Sequence, residues 1–113
     1  MFYIFAAELM LVIFEQEYLK TLYETGQTEK KHRFQPEVVR GFQKCIKMMI
    51  HSTDIATLAR INSLNYEELK GDKEGICSVR VNRQYRVEFT VSQTDTEPVV
   101  TICSILELSN HYK

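Results

Sequence analysis

Between Cys77 and Phe89, apolar and cationic residues alternate so regularly that the stretch fits a β-hairpin in one register only. Side chains alternate faces along a strand, so a slip of one residue would send every side chain to the wrong face. A turn centred on Arg83 sets Val81 opposite Tyr85, Val79 opposite Val87, Cys77 opposite Phe89 and Arg80 opposite Arg86. One face is then wholly apolar and the other carries the arginines. Like charges directly opposite on a sheet repel. A shared anion such as a phosphate between them relieves that repulsion. Pairing of the arginines with Glu67, Glu68 or Glu88 would relieve it too, as an ordinary solvated face.

The rest of the chain divides around this hairpin. Leu11–Glu15 reads as a short first strand. Gln16–Thr25 places Tyr18, Leu19, Leu22 and Tyr23 on one helical face, and Gly26 stands where that helix should end. Pro36 suits the first turn of a second helix. Its Val38, Val39, Phe42, Cys45, Ile46, Met49 and Ile50 form a core stripe, with Arg40, Lys44 and Lys47 on the opposite side. Asp54 is positioned to cap a brief third helix through Arg60 that buries Ile55 and Leu58. From Leu64 the period changes from helical to alternating, with strands expected over 64–69, 75–82, 84–91 and 99–106. The last is apolar at nearly every residue, as a strand buried on both faces should be. Helices followed by an antiparallel meander predict an α+β fold, with N-terminal helices packed on one face of a mainly antiparallel sheet.

At 113 residues the chain is long enough for a single core. Cys45, Cys77 and Cys103 are odd in number and share no ligand spacing, which indicates neither a disulfide framework nor a metal site. They read as small core hydrophobes in a reducing cytoplasm. The net charge of −1 is unevenly spread: residues 30–50 hold six Lys and Arg against Glu37 alone, a net of +5, leaving −6 elsewhere. A basic face of that kind suits a polyanion, so Arg40, Lys44 and Lys47 are candidate contacts for one.

Residues 1–9, with Glu8 as their single charge, are too short to span a bilayer and lack the basic start of a signal peptide. The expected domain runs over 11–113. Residues 1–10 are read as an upstream or N-terminal extension; with Met10 as the natural start, residues 1–9 would lie upstream of it.

No carboxylate pair here has the spacing of acid/base hydrolysis, and there is no glycine-rich phosphate loop or nucleophile elbow. His32 and His51 read as structural or exposed, and Arg83 as a solvated turn residue.

Leu69-Lys70-Gly71, then Gly75, then Ser78-Val79-Arg80-Val81-Asn82 and Tyr85-Arg86-Val87-Glu88-Phe89 follow one another in an order that resembles the RelE superfamily of bacterial toxins. Within it the HigB-like branch carries a Leu-Lys-Gly turn, a Ser-Ile-Arg-Val-Asn strand and an aromatic-Arg-Ile-x-Phe strand. The resemblance is dense over residues 69–89; over 12–60 it is one of pattern, a strand and then two helices. The family's Asp-Tyr-His ending is absent in that form, since the chain closes Ser109-Asn110-His111-Tyr112-Lys113. Glu67 stands where some relatives place a His.

The resemblance implies a toxin of a type II toxin–antitoxin pair that cleaves mRNA on the ribosome without metal or other cofactor. Such cleavage needs a base for the 2′-OH, cations for the charge growing on phosphate, and an acid for the leaving 5′-oxygen. Lys70 and Arg86 align with the family's Leu-Lys-Gly lysine and aromatic-Arg arginine, and Arg80 with its Ser-Ile-Arg-Val arginine. His111 or Tyr112 is the expected acid or base, and Lys73 a further RNA contact. The implied partners are mRNA on the ribosome and a cognate HigA-like antitoxin, in a homodimer or toxin–antitoxin hetero-oligomer, with no membrane. ParE-like relatives that inhibit DNA gyrase without a nuclease centre, and a decayed toxin that only binds its antitoxin, are the alternatives.

Overall fold

The two apolar stripes at helical spacing become two helices lying against one face of a sheet. A computed structural model describes residues 10–29, 31–97 and 99–110 of the chain. Its order is β1 (Met10–Phe14), α1 (Glu17–Thr25), α2 (Pro36–Ile50), α3 (Ile55–Ala59), β2 (Glu67–Glu68), β3 (Cys77–Arg80), β4 (Tyr85–Gln93) and β5 (Thr101–Asn110). The strands form one five-stranded sheet in the order β1-β5-β4-β3-β2. β1 runs parallel to β5, and the other pairings are antiparallel. The structure therefore has the expected α+β architecture.

Both helix ends are secured locally. The Gly26 N–H closes α1 on the Leu22 carbonyl at 2.9 Å, and Gln43 Nε2 from α2 donates to the Tyr23 carbonyl at 3.1 Å. Carbonyls that a helix end leaves unpaired are so satisfied by the neighbouring helix. Pro36 occupies the first turn of α2, as its missing N–H favours. Asp54 caps α3 by accepting from the Thr57 N–H at 2.8 Å, and this bond holds its carboxyl below the ordinary range.

The core lies between the helices and the apolar sheet face. Leu19, Leu22, Phe42, Ile46 and Met49 meet Val79, Val87, Phe89, Cys103 and Ile105, all fully buried. Ile50 departs from the expected stripe: at the last turn of α2 it is exposed. All three cysteines are buried and free, as small hydrophobes in a core should be. Tyr66 Oη lies 3.2 Å from Cys77 Sγ in the same interior.

Two strand expectations are corrected. The 64–69 strand shrinks to Glu67–Glu68, because Asn62–Leu64 wind into a single helical turn and Asn65 takes a left-handed conformation (φ 45°) that breaks the extended run. β5 is not buried on both faces. Thr101, Cys103, Ile105 and Leu108 are buried while Ile102, Ser104 and Leu106 are only half-buried, because helices cover one face of the sheet. A bulge in β5 at Leu106 lets Ile105 and Leu108 both face the core, opposite Phe89 and Val87. No helix among the described residues is long and apolar enough to cross a membrane.

Candidate functional site on the polar sheet face

The hairpin pairs in the register its faces demand. Cys77 is opposite Phe89, Ser78 opposite Glu88, Val79 opposite Val87 and Arg80 opposite Arg86. Asn82 shapes the tip: its Oδ1 accepts the N–H groups of Gln84 at 2.8 Å and Tyr85 at 2.7 Å, a local side-chain turn that asparagine favours. Cys45 of α2 secures the strand from behind by donating its Sγ–H to the Arg80 carbonyl at 3.2 Å.

The two arginines differ sharply in surroundings. Arg80 is exposed, and its Nε makes a long 3.4 Å contact to the Asn82 carbonyl. Arg86 is buried at 7 % relative exposure, although it lies on the polar face of the sheet. Its Nε donates to Ser78 Oγ at 2.8 Å and its Nη2 to the Asn65 carbonyl at 2.8 Å, with the Glu67 carboxylate at 3.8 Å. A buried guanidinium must be hydrogen-bonded and charge-balanced, and these partners do both. They come from three segments, so strand alternation alone could not reveal them. Ser78 and Asn65 are the residues that sequence reasoning missed. A serine on the arginine face of the hairpin was the available signal.

On the same face Glu67, Ser78, Glu88 and Glu107 stand side by side across β2, β3, β4 and β5. Glu88 is buried and its Oε2 accepts from Lys73 Nζ at 2.8 Å. That hydrogen bond raises the Lys73 pKa above its ordinary 10.5. Ser109 of β5 lies opposite Arg86 on its other side. The sheet thus brings Arg80, Arg86 and Glu88 around Ser78, and Lys73 reaches Glu88 from the preceding turn.

Lys70 is exposed just before a single helical turn, Gly71–Lys73. It lines a groove of about 590 Å³ with Glu68, Leu69, Glu74 and Val91, and among the described residues no hydrogen bond or ion pair joins it to either arginine. Gly71 (φ 68°) and Gly75 (φ 91°) bracket the turn in conformations that glycine adopts at little cost. Arg40, Lys44 and Lys47 are exposed along the outer side of α2. Lys44 and Arg80 line one small cleft of about 90 Å³ between α2 and the hairpin, with Met48 and Val81 among its walls. His111 and Tyr112 lie outside the described residues.

Comparison with known proteins places the fold in a family. The family described as the RelE-like toxin of the type II toxin–antitoxin system HigB matches residues 12–101. Toxin HigB-1 of Vibrio cholerae is 32% identical over 83 residues, 71% of this chain and 82% of that protein. Among solved structures, a YoeB/ParE toxin from Agrobacterium tumefaciens superposes with a TM-score of 0.54 at 20% identity, over 91% of this chain and 100% of its own. With a family match spanning most of its length and a HigB relative at this identity, the chain belongs to the HigB-like toxins, RelE-like toxins of type II toxin–antitoxin systems.

Proposed function

We propose that this domain is a ribosome-dependent endoribonuclease that cleaves mRNA and so arrests translation. The observation that carries the reading is the arginine pair on the polar sheet face: Arg86 buried and fixed by Ser78 and Asn65, Arg80 opposite it and open to solvent. A preorganised guanidinium beside a free one suits a phosphate whose charge grows during reaction. In the proposed step the 2′-oxygen attacks the adjacent phosphorus and the bond to the 5′-oxygen breaks. The products are a 2′,3′-cyclic phosphate and a free 5′-hydroxyl. The 2′-OH proton goes to a base and the departing 5′-oxygen takes one from an acid, roles we assign among Lys70, His111 and Tyr112. No metal or cofactor enters this scheme. Arg40, Lys44 and Lys47 extend the cationic surface from the cleft that Lys44 shares with Arg80, along the path of the RNA backbone.

The partners that follow are mRNA on the ribosome, in the cytoplasm, and a cognate antitoxin that keeps the nuclease silent. The test is expression from a tightly controlled promoter, with growth and mRNA 5′ ends followed together. Growth arrest with new cleavage sites in translated messages is the expected result. Intact mRNA with a DNA-damage response would assign the chain to gyrase inhibition instead. Protein present with neither effect would leave only antitoxin binding.

A further inference from the structure

Lys73 carries a positive charge on the face where RNA is proposed to bind, yet that charge is already committed. Its Nζ lies 2.8 Å from Glu88 Oε2, where the lysine is half-exposed and the carboxylate has 9 % side-chain exposure. Glu88 sits two residues beyond Arg86 on the same face of β4, with Ser78 on one side and Glu107 on the other. It has another carboxylate as a direct cross-strand neighbour, so removing Lys73 would leave a buried negative charge uncompensated.

The other end of the pair is equally telling. Residues 70–75 are all exposed, and a methyl group added at Gly71 or Gly75 would meet nothing within 4 Å. The turn keeps its shape through the Glu74 N–H to the Gly71 carbonyl at 3.1 Å and the Ile76 N–H to the Lys73 carbonyl at 3.0 Å. Among the described residues, Lys73–Glu88 is the one side-chain tie between this turn and the sheet.

We propose that Glu88 and Lys73 are positioning residues, a strap that ties the Lys70-bearing turn to the sheet at Glu88, and that Lys73 itself makes no contact with RNA. This role rests on the endoribonuclease reading of the same face. In the hairpin motif that carries the family resemblance, Glu88 occupies the unspecified position between Val87 and Phe89, so the strap is a feature of this chain rather than of the motif.

The test compares Glu88→Gln, Lys73→Ala, Lys73→Arg and the double variant Lys73→Ala/Glu88→Gln in the full chain. The readouts are kcat and KM for ribosome-bound mRNA and hydrogen exchange at the Glu74 and Ile76 amides. A strap predicts that Glu88→Gln and Lys73→Ala each lower kcat by roughly tenfold to a hundredfold, as small misplacements do, with KM nearly unchanged. The double variant should be no worse than either single one, Lys73→Arg should keep most of the rate, and exchange should rise at both amides. A direct RNA contact predicts the opposite split: Lys73→Ala raises KM at constant kcat, and Glu88→Gln leaves both constants alone. That result overturns the proposal, as does faster exchange with unchanged kcat. If the wild-type chain cleaves no RNA, the nuclease reading falls, and amide exchange in Glu88→Gln still decides whether the strap holds the turn.

Discussion

Arg80 and Arg86 face each other directly across β3 and β4, yet Arg80 is open to solvent and Arg86 is buried against Ser78 and Asn65. Their alanine variants should therefore separate. Arg80→Ala should change stability by no more than about 0.5 kcal/mol, as surface substitutions do. Arg86→Ala leaves the buried Ser78 hydroxyl and the Asn65 carbonyl without their donor and should cost about 1–3 kcal/mol. Both should lower mRNA cleavage about a hundredfold or more, the usual effect of losing one donor to a transition-state oxyanion. Urea melts and cleavage rates on the same preparations check the pattern; equal destabilisation by both variants would contradict it.

Ser78 offers a narrower test of the same site. Ser78→Ala removes the acceptor for Arg86 Nε and leaves the guanidinium held through Nη2 and the more distant Glu67 carboxylate. We expect a loss of roughly tenfold in kcat from misorientation, recovered in Ser78→Thr, which keeps the hydroxyl. Steady-state kinetics of the two variants decide it, and equal rates for Ala and Thr would show that the hydroxyl does not orient Arg86.

Gly41 of α2 packs against Val81 at the hairpin tip. A Cβ there would stand 2.8 Å from Val81 Cγ1 and 3.4 Å from the Val81 carbonyl oxygen. Gly41→Ala should destabilise the fold by about 1–3 kcal/mol, the usual cost of overpacking. Thermal unfolding of Gly41→Ala/Val81→Ala should recover part of that loss, since shortening Val81 removes the nearer contact. No recovery would place the strain in the backbone approach.

Alkaline pH should unfold the chain through its buried thiols. Burial pushes Cys45 from its ordinary 9.0 to about 11, although Lys44 and Arg86 pull the other way. Burial, reinforced by Cys77, pushes Cys103 to about 11 as well. The folded state keeps these protons after the unfolded chain has released them. Their contribution is therefore complete below pH 9 and is lost progressively between pH 9 and about 11. Urea titrations across that window should show the midpoint falling, and Cys45→Ala/Cys103→Ala should flatten the fall. An equally steep decline in the double variant would assign it to other groups.

How far the sequence alone reveals this molecule depends on the range of each interaction. The hairpin register was legible because its faces stay pure in one pairing only, and both main helices because their stripes are unmistakably amphipathic. The short β2 was not: Leu64 has strand-like neighbours, but the left-handed Asn65 ends any strand there. Nor was the burial of Arg86, whose acceptor at Asn65 lies 21 residues away and is a main-chain carbonyl that no side-chain pattern marks. Lys73 looked like a free cation for the same reason, since its partner Glu88 lies 15 residues further along the chain.

The bulge at Leu106 has one more consequence. Alternation fixes parity along a strand: residues an even number apart share a face. Counted from Ile105 without interruption, Ser109 would fall on the core side; the extra residue reverses the count and delivers it opposite Arg86. Deleting Leu106 would thus straighten the strand while leaving Ile105, Glu107, Leu108 and Ser109 opposite the partners they have now. A residue inserted between Glu107 and Leu108 is the harsher insult, because it turns Leu108 outward and Ser109 toward the core without changing what either face is made of by more than one side chain.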